Sequence, residues 1–303
     1  MRTGFTGLGA MGAPMATNIH AAGYLHTVWN RTASRARALA DELGCAVAGS
    51  PATLAAECDL VVVCVAADAD LLEVVDALAP GLAPGKVVVD CSTVSAATAV
   101  SAARRVQQQG AAFMDAPVSG GTEGARLGKL SMMAGGEAEV LERCRPVLEA
   151  MAARIVHMGP VGNGQATKAV NQIMAAGINQ AVSEGMAFAS AQGLPLERVI
   201  EALGSGAASS WFLHNRGPYM AAGEYPPGFK VALHDKDLAI AQAMAEARGV
   251  ALPVIEMTRL HYRRLVAAGY GEEDISALHR LKRDMFDNPA HPPVERQQDG
   301  KDT

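Results

Sequence analysis

The chain has 303 residues, more than one ordinary core holds and comfortable for two domains. Half of its residues are hydrophobic and 19% are charged, a balance that supports a large core and excludes global disorder. Net charge is -5 with both signs interspersed; no basic run points to nucleic acid, and no basic amphipathic arm points to a membrane surface.

The first half alternates between short apolar runs and helical stretches. Thr3–Thr6 is a strand candidate, Gly7–Gly12 is glycine-rich, and Ala13–Ala22 reads as a helix. Leu25–Trp29 returns as a strand and Ser34–Leu43 as a helix. Leu60–Val65 and Val87–Asp90 are continuous apolar runs of strand length. Ser95–Gln109 reads as a helix, and Ala112–Met114, Ser131–Ala134 and Ile155–His157 as strands. Continuous β-branched runs separated by helices predict a parallel sheet buried on both faces, hence a doubly wound α/β domain.

The second half changes character after Gly162-Asn163-Gly164. A proline-free stretch rich in Ala, Met, Gln and Ile runs to about Gln192 and predicts one long helix. Further helices are expected near Leu196–Leu203, Val231–Arg248, Pro253–Ala267 and Asp274–Met285. The expected organisation is a Rossmann-type domain over residues 1–161, an all-α domain over 162–287 and a disordered tail over 288–303.

Five scattered cysteines (Cys45, Cys58, Cys64, Cys91 and Cys144) show neither a CxxC pair nor zinc-site spacing, and most sit in apolar stretches as small hydrophobes. His20, His26, His157, His214, His234, His261 and His279 form no ligand pattern, so no metal is assigned. The chain starts directly in a strand-like segment without a signal-peptide pattern, and no apolar run is long enough to span a bilayer. A cytoplasmic protein is the expectation.

Gly7-Leu8-Gly9-Ala10-Met11-Gly12 fits GxGxxG between a strand and a helix, the context that a dinucleotide-binding turn requires. The first glycine makes the turn, the second admits a pyrophosphate, and the third allows close helix packing. Amides at the helix N-terminus then favour the anion. The end of the next strand selects the cofactor. An NAD site wants a carboxylate there for the ribose hydroxyls. Here the residues are Asn30-Arg31-Thr32, with Arg35 a helical turn after Arg31. Asn30 avoids repelling a 2′-phosphate, Arg31 can pair with it, and Thr32 adds a hydroxyl. NADP is expected, with NAD possible. The competing reading of these arginines is a solvated helix start.

The run from Gly7 to Ala16 (GLGAMGAPMA) resembles the opening signature of the β-hydroxyacid dehydrogenases, which include 3-hydroxyisobutyrate dehydrogenase, tartronate semialdehyde reductase and glyoxylate/succinic semialdehyde reductases. Asp115-Ala116-Pro117-Val118-Ser119-Gly120-Gly121 resembles the family's substrate loop. Gly162-Asn163-Gly164 with Lys168 and Asn171 resembles its catalytic helix, and Lys236-Asp237-Leu238 its C-terminal motif. The resemblance runs from Met1 to about Asp287. It implies a long interdomain helix, an active site in the cleft between domains, and homodimers or homotetramers built through the helical domain. It also implies cofactor contacts at Thr93, at the loop carrying Val65 and Ala66, and at Lys236.

Lys168 and Asn171 share a helix face by spacing. A partly desolvated lysine there has a lowered pKa and suits proton transfer. The resemblance makes Lys168 the general acid or base at the reacting oxygen, with Asn171 holding the substrate or orienting the lysine. Ser119, Gly120 and Gly121 offer a hydroxyl and close-spaced amides for a substrate carboxylate, or else an ordinary turn. Asp237 is read as structural, pairing with neighbouring cations; Arg216 could contact a substrate carboxylate, with a structural ion pair the preferred reading. Trp211, Phe212 and Phe229 could wall the substrate pocket or pack a core. The expected function is hydride exchange between NADP(H) and a small β-hydroxy acid or semialdehyde: 3-hydroxyisobutyrate, tartronate semialdehyde, glyoxylate or succinic semialdehyde. The alternatives are an imine reductase-like enzyme, which usually lacks the lysine, and a non-catalytic NADP-binding scaffold.

Overall fold

The computed structural model describes residues 1–286; the expected disordered tail lies outside the described residues. The chain divides into two compact units. The first comprises Met1–Met174 and Lys236–Pro253, the second Ala175–Asp235 and the chain from Val254 on.

In the first unit, β1 (Thr3–Thr6) leads through a tight turn into α1 (Gly12–Ala21). Then come β2 (Leu25–Trp29), α2 (Ala33–Leu43), β3 (Ala46–Val47), α3 (Pro51–Glu57), β4 (Leu60–Val63), α4 (Asp68–Leu78), β5 (Val87–Asp90), α5 (Ala96–Gln107) and β6 (Ala112–Asp115). The six strands pair in parallel in the order β3-β2-β1-β4-β5-β6. Consecutive residues feed opposite faces. Leu60 and Val62 join Phe5, Val28, Val87, Val89 and Met114 under α1 and α2. Val61 and Val63 join Val88 and Phe113 under α3, α4 and α5. Each such side chain, taken wholly out of water, contributes about 1.5–3 kcal/mol. Burial on both faces is why these runs read as uninterrupted apolar stretches rather than alternating ones.

The expected single sheet is corrected in one respect. β7 (Val118–Ser119), α6 (Gly121–Arg126), β8 (Leu130–Ala134), α7 (Ala138–Leu148) and β9 (Ala152–His157) build a separate three-stranded sheet. β7 runs antiparallel to β8, and β9 parallel to it. Its inner residues Leu130, Met132 and Ala134 enter the core shared with α1, together with Leu141, Cys144 and Leu148 of α7.

α8 (Asn163–Ala191) is the expected long helix. The expected domain boundary at 161/162 lies just before its first residue, Asn163, whereas the compact units divide within it, after Met174. The rest of the described chain is helical: α9 (Leu196–Leu203), α10 (Trp211–Ala222), α11 (Val231–Glu246), α12 (Pro253–Ala267) and α13 (Leu278–Phe286). In the second unit, buried Asn179 donates to Tyr262 Oη at 3.1 Å and to the Ile275 carbonyl at 2.8 Å. His234 Nδ1 meets the same phenol at 3.0 Å, so Asn179, Tyr262 and His234 satisfy one another. Arg216 pairs with Asp274 at 3.0 Å, and its guanidinium lies 4.9 Å from the Trp211 ring centroid. Trp211 is 55% exposed, so it is not core; Phe212 meets it edge-on, and Phe229 packs on His234. No helix among the described residues is long and apolar enough to cross a membrane.

Candidate functional site

The strand order reverses between β1 and β4, so the loops leaving their carboxyl ends diverge and open a crevice. A cleft of about 430 Å³ lies there, lined by Gly7, Gly9, Asn30, Arg31, Thr32, Val65 and Ala66 among others. The glycine turn fits a dinucleotide. Gly7 has φ +91°, and a Cβ on it would stand 2.1 Å from the Cys64 carbonyl oxygen. A Cβ on Gly12 would stand 1.9 Å from the Gly7 oxygen. Gly9 differs, since a Cβ there meets nothing within 4 Å. Two glycines are thus needed for the turn itself, and the third faces open space, as the close approach of a pyrophosphate would require. Ala10 and Met11 complete the entry to α1. Leu8 buries its side chain in the core.

Asn30 does more than leave room. Its Oδ1 accepts the Leu8 N–H at 2.9 Å, and its Nδ2 donates to the Thr32 carbonyl at 3.1 Å. One side chain therefore ties the glycine turn to the end of β2. Arg31 extends to α4, donating to Asp70 at 2.8 Å, with Glu73 3.9 Å away. An exposed pair of this kind is worth about 0–1 kcal/mol, so a stronger ligand can replace it. Val65 N–H donates to Ser92 Oγ at 2.8 Å, linking the β4 and β5 loops. Cys64 also lines the cleft; burial pushes its thiol up to about 12, which keeps it protonated.

A second group of residues gathers around the first turns of α8. Lys168 is 7% exposed, and its Nζ donates to the Val118 carbonyl at 2.9 Å, one residue before Ser119. Burial lowers its pKa from the ordinary lysine value, Asp237 opposes that shift, and the Lys236 charge adds to it. Asp237 accepts from Gln172 at 2.7 Å and pairs with Lys236 at 2.9 Å. Lys236 Nζ also donates to the Thr93 carbonyl at 2.9 Å. Asn171 donates to Gln172 Oε1 at 2.7 Å. The structure thus joins Thr93, Lys236, Asp237, Gln172 and Asn171 in one hydrogen-bonded chain beside Lys168. Gly120 and Gly121 follow Ser119 with φ of +132° and +62°, and the second of them begins α6.

Four side chains make contacts that the sequence reading does not assign. Asp115 at the end of β6 accepts from the amides of Gly162 and Gln165, both at 2.8 Å, and so caps the helix that carries Lys168. Gln165 accepts from Val94 N–H and donates to the Ser92 carbonyl, holding the β5 loop to α8. Asp90 accepts from Ser92 N–H, and burial raises its carboxyl to about 7 against that hydrogen bond. Gln172 orders Asp237. The partners of Asp115, Gln165 and Gln172 lie tens of residues away, so no local spacing announces them. Among the described residues, no three His, Cys, Asp or Glu side chains come together in a way that could hold a metal ion.

Residues 2–159 match the family described as the NAD binding domain of 6-phosphogluconate dehydrogenase. Residues 162–282 match the NAD-binding family of NADP-dependent 3-hydroxyisobutyrate dehydrogenase. The NAD-dependent L-serine dehydrogenase of Pseudomonas aeruginosa is 36% identical, covering 91% of this chain and 96% of its own length. The 2-hydroxy-3-oxopropionate reductase of Escherichia coli is 37% identical, over 92% and 96%. The structure of Mycobacterium tuberculosis 3-hydroxyisobutyrate dehydrogenase with L-serine superposes with a TM-score of 0.86 at 31% identity, over 93% of this chain and 100% of that one. With both halves of the chain matched in order and a dinucleotide turn at the sheet's switch point, the protein is an NAD(P)-dependent oxidoreductase of the β-hydroxyacid dehydrogenase family.

Proposed function

We propose that the protein exchanges a hydride between NADP(H) and a small β-hydroxy acid or its semialdehyde, with Lys168 moving the proton. The observation that carries this reading is the buried Lys168 amine, held on the carbonyl that precedes Ser119-Gly120-Gly121. A bound nicotinamide supplies or accepts the hydride. Lys168 has three N–H donors when protonated, and one is spent on Val118. The others are available to an oxygen that gains charge during reduction, where fixed donors count most. In oxidation the neutral amine takes the hydroxyl proton. Ser119 and the Gly120 and Gly121 amides bind the substrate carboxylate in this reading, and Asn171 orients the substrate. Lys236 and Thr93 border the nicotinamide end, while Gly7–Gly12, Val65 and Ala66 follow the pyrophosphate.

Arg31 and Thr32 are assigned to the 2′-phosphate, which gives the NADP preference. Residues 1–161 carry the cofactor, and residues 162–287 serve substrate binding and assembly into a homodimer or homotetramer. A cytoplasmic location belongs to the same reading, which rests on the family.

The test is NADPH and NADH consumption over glyoxylate, succinic, tartronate and methylmalonate semialdehydes. NADP⁺ and NAD⁺ reduction by 3-hydroxyisobutyrate and L-serine completes the panel. L-serine is itself a β-hydroxy acid, and one relative is named as its dehydrogenase. Turnover of one or two acids with the phosphorylated cofactor is expected. Arg31→Ala is expected to raise KM for NADPH about tenfold and for NADH about twofold or less, since a charge-assisted contact is worth about 1.5 kcal/mol. Equal changes would remove Arg31 from the phosphate site.

The glycine turn gives a sharper contrast. Gly9→Ala is expected to leave the melting temperature unchanged, because its methyl meets no protein atom within 4 Å. Cofactor affinity should nevertheless fall about tenfold or more, the methyl occupying space the pyrophosphate needs. Gly12→Ala should fail in both assays, since its methyl collides with the Gly7 carbonyl oxygen. Paired calorimetry and binding titrations separate the two; a Gly9→Ala protein that binds normally would move the pyrophosphate elsewhere.

A further inference from the structure

A phosphomonoester brings nearly two negative charges, so a 2′-phosphate site is expected to present net positive charge. The cleft beside the glycine turn does not. Arg31 and Arg35 line it, but so do Asp70 and Glu73. Arg31 is already engaged, its Nη1 donating to Asp70 Oδ1 at 2.8 Å with Glu73 Oε2 at 3.9 Å. The carboxylate is the fixed member of the pair. Asp70 sits in the first turn of α4, its side chain only 23% exposed against 71% for Arg31. The wholly buried Leu71, Val75 and Leu78 anchor that helix to the sheet. An anion that comes to Arg31 therefore arrives beside a carboxylate that its helix holds in place.

We propose that Asp70 is a specificity-determining residue of the cofactor site. Its carboxylate competes with the 2′-phosphate for Arg31 and sets how strongly the protein discriminates NADPH from NADH. The inference rests on the assignment of Arg31 to the phosphate. NADPH has to share the Arg31 guanidinium with Asp70 or displace it from Nη1, and once bound it has Asp70 and Glu73 as like-charged neighbours. NADH meets neither cost. Its 2′-hydroxyl leaves the ion pair closed, and a hydroxyl can donate to a carboxylate. The protein accordingly uses both cofactors, with a smaller NADPH preference than Arg31, Thr32 and Arg35 alone would produce.

Equilibrium binding of NADPH and NADH tests this by isothermal titration calorimetry, with Trp29 fluorescence as a second signal because Trp29 lines the cleft. The proteins are wild type, Asp70→Asn, Asp70→Ser, Glu73→Gln, Arg31→Ala and the Arg31→Ala/Asp70→Asn double variant. Asp70→Asn and Asp70→Ser are expected to tighten NADPH about fivefold, with NADH changing less than about twofold. Glu73→Gln should act in the same direction more weakly. With Arg31 gone, Asp70→Asn should retain only the direct repulsion, roughly a twofold effect on NADPH. If Arg31→Ala weakens NADPH selectively but the Asp70 variants leave the NADPH/NADH ratio unchanged, the phosphate reading stands and the role of Asp70 is overturned. If those variants bind NADPH more weakly, Asp70 orients Arg31 instead of competing for it, and the proposal is again overturned. If Arg31→Ala weakens both cofactors equally, the phosphate reading fails and the proposal fails with it. Thermal melts establish that each variant is folded; Glu73→Gln, at a 71% exposed side chain, keeps the test available should both Asp70 variants fail to fold.

Discussion

Lys168→Ala is expected to lower kcat by about 10²- to 10⁴-fold in both directions, the usual contribution of a positioned acid or base. The dissociation constant of the dinucleotide should change by no more than about twofold, because an interaction used only in the transition state leaves ground-state binding intact. The pH dependence identifies the group. Burial places the Lys168 pKa below the ordinary lysine value. Oxidation needs the neutral amine, so its rate should rise with pH through that lowered pKa. Reduction needs the ammonium, so its rate should fall through the same value. Both limbs should vanish in Lys168→Ala. Lys168→Arg keeps a charge but cannot become neutral at accessible pH, so oxidation should remain absent. An alanine variant with more than about a tenth of wild-type activity would mean that another group carries the proton.

The stability linkage of the same residue has a definite sign. Its native pKa lies below the unfolded value, so the unfolded chain binds more protons between the two. Lys168 therefore makes the fold more stable as pH rises across that window.

What was readable in the sequence follows a physical rule. β1, β2 and β5 appear with their expected bounds, and in β5, buried at all four residues, burial on both faces is why Val87, Val88 and Val89 run without alternation. Leu196–Leu203 and Pro253–Ala267 likewise match, one following a proline and the other opening on one. α10 was not foreseen. It contains Gly217 and Pro218, which individually argue against a helix, and tertiary packing of Leu213, Gly217 and Met220 overrides them. The second sheet was not foreseen either, since nothing local in Val118–Ser119 or Leu130–Ala134 states which strand will pair with which.

The site divides the same way. The glycine turn and the Lys168 helix are local patterns with a fixed spacing, and they were legible. The sequence marks Asp237 as a structural partner for a neighbouring cation, and it pairs with Lys236; its bond to Gln172, 65 residues away, is a product of the fold. Arg31 was legible as a cation at the end of β2. Its partner Asp70 lies 39 residues on, in a helix that follows a different strand. A cation's type can be read from sequence, but whether it is free to meet a ligand depends on non-local pairing.

Asp115 carries the other large effect, and it joins stability to catalysis. Its two oxygens each accept an amide at the start of α8, from Gly162 and Gln165. Room for the carboxylate exists only because residues 135 and 164 are glycine. A Cβ at Gly135 would stand 2.5 Å from Oδ1, and one at Gly164 2.8 Å from Oδ2. Asp115→Ala strands two buried N–H groups, each costing about 1–3 kcal/mol. The expected total is about 3–5 kcal/mol, or a melting temperature lower by roughly 10 °C. Asp115→Asn should fall between alanine and wild type. It keeps one acceptor but turns an NH₂ toward the second amide, while losing a charge that burial disfavours. That burial raises the carboxyl pKa against the amides of Gly162 and Gln165. Between the ordinary and the raised value the native state binds more protons than the unfolded chain, so wild type should lose stability as pH rises through that window. The asparagine variant should lack that slope. Because Lys168 lies on the turn after the capped residues, both variants should also lower kcat more than they raise KM for the cofactor. Urea unfolding at several pH values, paired with steady-state kinetics, measures the whole set. An alanine variant as stable as wild type would show that α8 is held by its packing alone and that the carboxylate is not what fixes Lys168.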